Sequence, residues 1–353
     1  MTAPNNKFSL RLIDAHPWRD NSNPIWLATT LKLYRNMAKY LFPSKMEPTR
    51  QKQLLDVMSK ALCSIKELSH ASFLQGDEIS SLEKQFLFEH FLFLQGLQEA
   101  CHKTEGFIID DSGKFLAVLN LKDHLQMQLI DCGQDLENGF AQILRLESEL
   151  AKMFEWSYNT RFGFLTADPR HCGTALVVRL FLHLPALITT GELKELIATT
   201  DGIEATGMMG GSLESCVGDI VVVSNRFTLG LSEDEIIRSL RLAAARLIAE
   251  EKKARQKLMQ DDALKNRISR AYGLLLHSYQ AETEETLSSL SLCKLAIDMG
   301  LLKGIDHQKL NALFFDSRKA HLLSLHAETT DEEVTRSRAK LVHDAFATSS
   351  LLI

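Results

Sequence analysis

Beyond Ser232 the chain keeps a single rhythm, and this constrains its architecture more than any other feature. Ser232-Glu233-Asp234-Glu235 is a capping box, Ser at the N-cap and Glu at N3, in which each side chain serves the other's backbone donor. It predicts a helix with an apolar stripe and a Lys/Arg-rich end, running to about Met259, the charge order a helix dipole favours. From Asp261 to Ile353 helical spacing continues, broken at Gly300 to Ile305, with little strand signal. A separate all-helical domain is predicted there.

The chain before Ser232 is mixed. Residues 24 to 42 hold a helix-length apolar pattern closing at Phe42-Pro43, and Arg50 to Leu68 has amphipathic helical spacing, so the N-terminal part is predicted helical to about residue 105. Phe107-Ile108-Ile109 and Phe115 to Leu119 flank Asp110-Asp111-Ser112-Gly113, a turn composition, and predict a β-hairpin. Leu136 to Trp156 returns to helical spacing, with Phe140, Ile143, Leu144, Leu146, Leu150 and Phe154 on one face. Phe162 to Thr166, Ala175 to Leu184 and Asp219 to Val223 read as strands, and Met208 to Ser212 as a loop of glycine and small residues. The 353 residues therefore divide into an α+β part, 1–259, and a helical part, 260–353, in keeping with a length that favours two units.

A formal net charge of -5 excludes bulk attraction to nucleic acid. Met1 to Phe8 lacks a basic start and apolar run, and no segment approaches the ~18 apolar residues of a membrane span, so a cytoplasmic protein is expected, with no membrane partner. Cys63, Cys101, Cys132, Cys172, Cys216 and Cys293 form no CxxC pair, which argues against a zinc site or a disulfide framework and predicts free thiols and no bound metal.

The stretch Gly163-Phe-Leu-Thr-Ala-Asp168-Pro-Arg-His-Cys-Gly173-Thr-Ala-Leu-Val177 resembles the cysteine loop of guanidino kinases. Further matches follow in the same order along the chain: Phe88-Glu89-His90-Phe91, Asn120-Leu-Lys-Asp-His-Leu-Gln126 and Ser224-Asn225-Arg-Phe-Thr-Leu-Gly230. Arg270-Ala-Tyr-Gly273, Leu295-Ala-Ile-Asp-Met-Gly300-Leu-Leu-Lys-Gly304 and Arg338-Ala-Lys-Leu341 extend the likeness into the tail. The whole is similar to the bacterial protein-arginine kinases (McsB type), whose tail the kinases of creatine or free arginine lack. The resemblance implies a glutamine-synthetase-like antiparallel sheet flanked by helices, a C-terminal all-helical domain, and transfer of phosphate from ATP, with Mg, to a guanidinium.

At the positions that carry this chemistry the chain departs from the pattern. The first two phosphate-binding arginines of the family fall on Thr30 and Lys32, the catalytic glutamate on Lys122, and the arginine of the same motif on Gln126. The reactive cysteine falls on Asp168 and the arginine after Gly-Thr-Gly-Leu on Val177, with Ala175 replacing the second glycine. The last phosphate arginine falls near Thr206-Gly207. Phosphoryl transfer rests on positioning and charge neutralisation. Losing four charge-assisted bonds removes roughly 6–12 kcal/mol, against ~4–8 kcal/mol for mM to μM nucleotide binding.

Several residues carry two readings. Lys32, Lys122, Arg170 and Arg179 could rebuild an anion site, Arg179 sharing a strand face with Val177, or Arg179 is an ordinary surface arginine. Asp123 and Asp168 could form a carboxylate pair, or Asp168 before Pro169 caps a turn. His90, at a family nucleotide-contacting position, His124 and His171 read first as structural histidines. Val334-Thr335-Arg336-Ser337-Arg338-Ala339 partly matches the family's phosphoarginine-binding motif, through Arg338 and Ala339, while a solvated helix face is the default. By resemblance the partners are a zinc-finger activator subunit (McsA type), an ATP-dependent unfoldase (ClpC type) and further copies of the chain. The functional expectation is a pseudokinase acting as scaffold or regulator in protein quality control; the alternative is an active protein-arginine kinase with a rearranged site.

Overall fold

The computed structural model describes residues 12–13, 15, 18, 21–93, 102–133, 135–210, 212–213, 216–325 and 330–353. Met1–Phe8, Cys101 and Gly211 lie outside them. The strands, in chain order, are β1 (Trp26–Arg35), β2 (Ser72–Gln75), β3 (Gly106–Ile109), β4 (Phe115–Leu119), β5 (Leu125–Asp131), β6 (Tyr158–Asn159), β7 (Gly163–Phe164), β8 (Leu176–His183), β9 (Ile203–Gly207), β10 (Ile220–Asn225), β11 (Leu302–Lys303) and β12 (Ser350–Leu351). Eight of them form one sheet in the order β2-β3-β4-β5-β1-β8-β10-β9, while β6 pairs with β7 and β11 with β12.

The expected hairpin is β3 and β4, turning at Gly113 with φ 66°. The helix expected over 24–42 is not there, and the N-terminal part is not helical to 105: β1 is a ten-residue strand in the middle of the sheet, and β2 follows. Every residue of β1 is buried, so apolar side chains occupy both of its faces and the alternation that marks a half-exposed strand is missing.

Helices α1 (Pro48–Ser64), α2 (Ser81–His90) and α3 (Leu136–Ala151) follow; α3 stops short of Trp156, which bridges to Met37. The strand expected over 162–166 shrinks to β7. Two short helices, α4 (Pro185–Thr190) and α5 (Leu193–Ala198), precede β9. Helix α6 (Glu233–Leu258) begins at the expected capping box, where Ser232 Oγ accepts from Glu235 N and Glu235 Oε2 from Ser232 N at 3.3 and 2.7 Å. Beyond it come α7 (Asp262–His277), α8 (Thr283–Asp298), α9 (His307–Asp316), α10 (Lys319–Leu325) and α11 (Asp331–Phe346). The helical tail is as expected, with β11 and β12 as a small addition. Among the described residues no helix is long and apolar enough to cross a membrane, and Cys63, Cys132, Cys172, Cys216 and Cys293 form no disulfide.

The chain's own contacts group it into two compact units, 29–179 with 224–241, and 1–28 with 180–223 and 242–353. In the first, α3 lies against the sheet face carrying Leu31 and Leu129: a Cβ on Gly139 would meet Leu31 Cδ1 at 3.0 Å, and Glu147 of α3 receives Arg35 Nε at 2.8 Å. In the second, burial extends to charged side chains, which the fold joins into a chain of bonds. Arg255 Nε donates to Glu251 Oε1 at 2.7 Å, and the same guanidinium bonds Asp298 and the His183 carbonyl. Glu251 also accepts from Leu187 N at 2.9 Å. His307 Nε2 donates to Asp298 Oδ1 at 2.8 Å. Lys294, fully buried, reaches Asn311 Oδ1 at 2.8 Å and both His307 Nδ1 and the Asn23 carbonyl at 3.2 Å.

Candidate functional site

Side chains alternate along a strand, so Thr30, Lys32 and Tyr34 of β1 share the sheet face opposite Leu31. Register with β5 sets Lys32 beside Gln128 and Tyr34 beside Gln126 on that face. Lys32 is 4% exposed, and its Nζ stands 3.9 Å from the centroid of the Phe93 ring. The chain reaches this place by reversing after α2, where Leu92 takes φ 51° and Phe93 N bonds the Phe88 carbonyl at 3.1 Å. Gln128 donates to the Phe91 carbonyl. Thr30 Oγ1, Gln126 Nε2 and Gln128 Oε1 are buried with no hydrogen-bond partner among the described residues.

Across β1, Val177 of β8 packs with Tyr34 and Ala175, and Phe164 closes over them. Ala175 has φ 55°, a left-handed conformation that is cheap for glycine and costs roughly 1–2 kcal/mol for a residue with a Cβ. Arg179, half-buried, stands two residues further along the same face. Burial, reinforced by Arg179, holds the Lys32 amine well below its ordinary pKa. Tyr34 stacks on His171 with ring centroids 4.9 Å apart. Burial pushes its phenol up to about 12; Arg179 opposes this, while Asp123 and Asp168 add to it. Burial also lowers His171, against the pull of Asp168.

The loops around this face are tied by residues that match the family motifs. Asp123 Oδ1 accepts from Asn36 Nδ2 at 2.6 Å and from Ala167 N at 2.7 Å. Burial raises the Asp123 carboxyl, those two bonds lower it, and Asp168 adds a smaller upward push. His124 accepts from Met37 N at 3.0 Å and donates through Nε2 to the Leu41 carbonyl at 2.8 Å. Asn225 accepts from Val178 N and donates to the Leu176 and Phe227 carbonyls at 2.8 to 3.0 Å. Gly173, at φ 110°, presses against the Thr228 carbonyl so closely that a Cβ there has no room.

Asp168 caps the short turn Pro169–His171 and holds Arg170, with Arg170 Nη2 at 2.7 Å from Oδ2; these bonds bring its carboxyl down to about 2. Lys122 is exposed in the loop between β4 and β5. His90 is fully buried, with Nε2 donating to the Gly113 carbonyl at 2.8 Å, as a structural histidine does. Thr206 and Gly207 end β9 in the other compact unit. Arg338 corrects the expectation of a solvated helix face: it is 2% exposed, donating to the Ser317 and Ala281 carbonyls at 2.6 and 2.7 Å, with Ala339 buried beside it. Arg336 is the exposed member, over the Tyr279 ring and 3.5 Å from Glu332.

The structure thus brings Thr30, Lys32, Gln126, Val177 and Arg179 onto one face, with Asp123 and Asp168 in its loops. Sequence reading passed over Phe93, Gln128 and Tyr34. Lys32 alternates with Tyr34 and faces Gln128, but only once β1 is known as a strand does that become visible. Among the described residues no group of three or more His, Cys, Asp or Glu could hold a metal ion.

Residues 53–254 match the model of the ATP:guanido phosphotransferase C-terminal catalytic domain, and residues 261–351 that of the protein-arginine kinase McsB C-terminal domain. The protein-arginine kinase of Chlamydia pneumoniae is 35% identical over 91% of this chain and 90% of its own length; that of Halothermothrix orenii is 30% identical over 90% and 92%. Among solved structures, lombricine kinase aligns with a TM-score of 0.57 at 19% identity over 71% of each chain. The duplicated taurocyamine kinase of Schistosoma mansoni aligns with a TM-score of 0.57 at 22% identity, covering 65% of this chain and 33% of that one. Those two likenesses concern the fold. The chain belongs to the protein-arginine kinase (McsB) family of ATP:guanidino phosphotransferases.

Proposed function

We propose that this family member is a pseudokinase that works by binding proteins, as a scaffold or regulator of protein quality control in the cytoplasm. The observation that carries this reading is the sheet face itself. Where the family places phosphate-binding arginines, this chain has Thr30, Gln126 and Val177, and the one cation retained, Lys32, lies beneath Phe93 with its charge disfavoured by burial. The base position holds a lysine, Lys122, in place of a carboxylate, and the cysteine position holds an aspartate already bonded to Arg170. Neither the polyphosphate of ATP nor its Mg finds the usual neutralising charge here. By family resemblance the partners are a zinc-finger activator subunit (McsA type), an ATP-dependent unfoldase (ClpC type) and a second copy of the chain.

A second reading, an active kinase acting on protein arginine, is favoured by one observation: Lys32, Arg179, Arg170 and His171 influence one another electrostatically around Asp123 and Asp168. Calorimetric titration of the full chain with MgATP, with and without the activator subunit, separates the two. Heatless titrations up to about 1 mM, together with no phosphoarginine on a model protein, are expected; binding tighter than that, about 4 kcal/mol, sinks the pseudokinase.

A further inference from the structure

Lys294 is fully buried, and the atoms around it leave room for one proton where two basic groups meet. Its Nζ touches Asn311 Oδ1 at 2.8 Å and both the Asn23 carbonyl and His307 Nδ1 at 3.2 Å. His307 Nε2 donates to Asp298 Oδ1 at 2.8 Å, because a carboxylate oxygen only accepts. The line from Nζ to Nδ1 therefore holds a single hydrogen, and two arrangements satisfy every contact. In one, an ammonium donates to all three atoms and His307 is neutral; in the other, a neutral amine accepts from a charged imidazole and donates to the two oxygens. With both side chains protonated, N–H faces N–H and two cations stand 3.2 Å apart.

The surrounding charges agree with that count. Asp298 of α8 and Glu251 of α6 both bond Arg255, so two carboxylates face one guanidinium, and one proton on the pair balances them. His183, at the end of β8, is kept neutral by burial and by Arg255 and Lys294, with Nε2 on Ser291. Ser291 in turn bonds Asp219, whose carboxyl burial raises. A second proton on the pair is thus uncompensated beside a buried lysine. The pair also fastens a stretch of chain. Lys294 holds the Asn23 carbonyl directly, and Asn311 donates through Nδ2 to the Asn21 carbonyl. Asn23 Oδ1 accepts from Ile25 N and Trp26 N at 2.8 Å, which shapes the entry to β1. Residues 21–27, α8 and α9 belong to one compact unit.

We propose that Lys294 and His307 form a one-proton latch on residues 21–27 and that acid opens it. A second proton enters only when the Nζ–Nδ1 contact parts, and parting it frees the Asn23 carbonyl and, through Asn311, that of Asn21. The two protons then belong to the opened pair rather than to either residue alone. The latch lies in the other compact unit and stands whether or not the sheet face binds nucleotide.

The test is hydrogen–deuterium exchange of the full chain between about pH 8 and about pH 5.5, corrected for the intrinsic pH dependence of exchange and read in peptides spanning residues 21–27. An imidazole in open water takes its proton near about pH 6.5, so below that pH opening gains one proton and becomes roughly tenfold easier per pH unit. Protection of residues 21–27 in the wild type is expected to fall by that factor, while peptides from α1 show no such fall. His307→Gln keeps an acceptor for Lys294 and a donor for Asp298 but cannot be charged, so its protection is expected to stay flat; His307→Asn takes its place if it does not fold. Wild-type protection that is flat over the range overturns the proposal without any variant. A fall shared by α1 also overturns it, as global unfolding, and so does a fall that survives in His307→Gln, which would assign the proton to a carboxylate.

Discussion

Two buried polar regions of this protein, one in each compact unit, are built on opposite terms. In the unit that contains the C-terminal helices, Lys294, Arg255 and Glu251 are sunk into the core, yet each has named partners: three acceptors meet the Lys294 amine, and Glu251, the more exposed Asp298 and a carbonyl meet the Arg255 guanidinium. On the sheet face of the other unit, a hydroxyl and two amide atoms are buried with no hydrogen-bond partner among the described residues. Satisfied buried charge holds elements together, and removing one member leaves the rest uncompensated. Unsatisfied buried atoms add no bond to the fold and cost their desolvation.

The largest effect that would break this comparison comes from Arg255→Ala, expected to cost about 3–5 kcal/mol in urea unfolding, because Glu251 and Asp298 are left without their counter-ion. A loss under about 1 kcal/mol would mean that the network is ornamental. Next in size is the pH dependence carried by Lys294, whose pKa burial brings from 10.5 to about 7, with Asp298 opposing and Arg255 assisting. Between those values the unfolded chain binds more protons than the folded one, so stability rises as pH climbs from about 7 to about 10.5. Lys294→Met removes that rise, about 1.4 kcal/mol for each pH unit between those values, and the difference between the two stability curves measures it. The smallest effect sharpens the other side. Thr30→Val deletes an unpartnered hydroxyl and should stabilise the protein by about 1 kcal/mol; destabilisation by as much would show that the hydroxyl is bonded in solution.

The same contrast explains what could be read from the sequence. The helix cap at Ser232, the 107–119 hairpin, strands β8 and β10 and the helical tail were legible because each rests on local chemistry: Ser232 with Glu235, the Asp110–Gly113 turn, apolar runs bounded by turn residues. The loop-tying residues were legible as family motifs, since Asn36, Asp123, His124 and Asn225 bond backbone atoms whose positions define the fold. β1 was misread because a strand buried on both faces loses its period of two. That error hid the face carrying Lys32 and Tyr34, and with it Phe93, which meets Lys32 across 61 positions of sequence (93 minus 32) and has no signal of its own. Arg338 was misjudged for a related reason: no spacing rule distinguishes an arginine that caps carbonyls inside a helical tail from one that faces water.

The Phe93 ring also limits what position 32 can hold. An arginine at position 32 is bulkier than lysine, and beneath a ring already 3.9 Å from Nζ it would be overpacked by about 1–3 kcal/mol. An arginine at position 32 therefore calls for a smaller residue 93, a change that by itself leaves a hole over a buried lysine. Positions 32 and 93 are coupled through that contact, so a double variant there does not read as the sum of its two single variants.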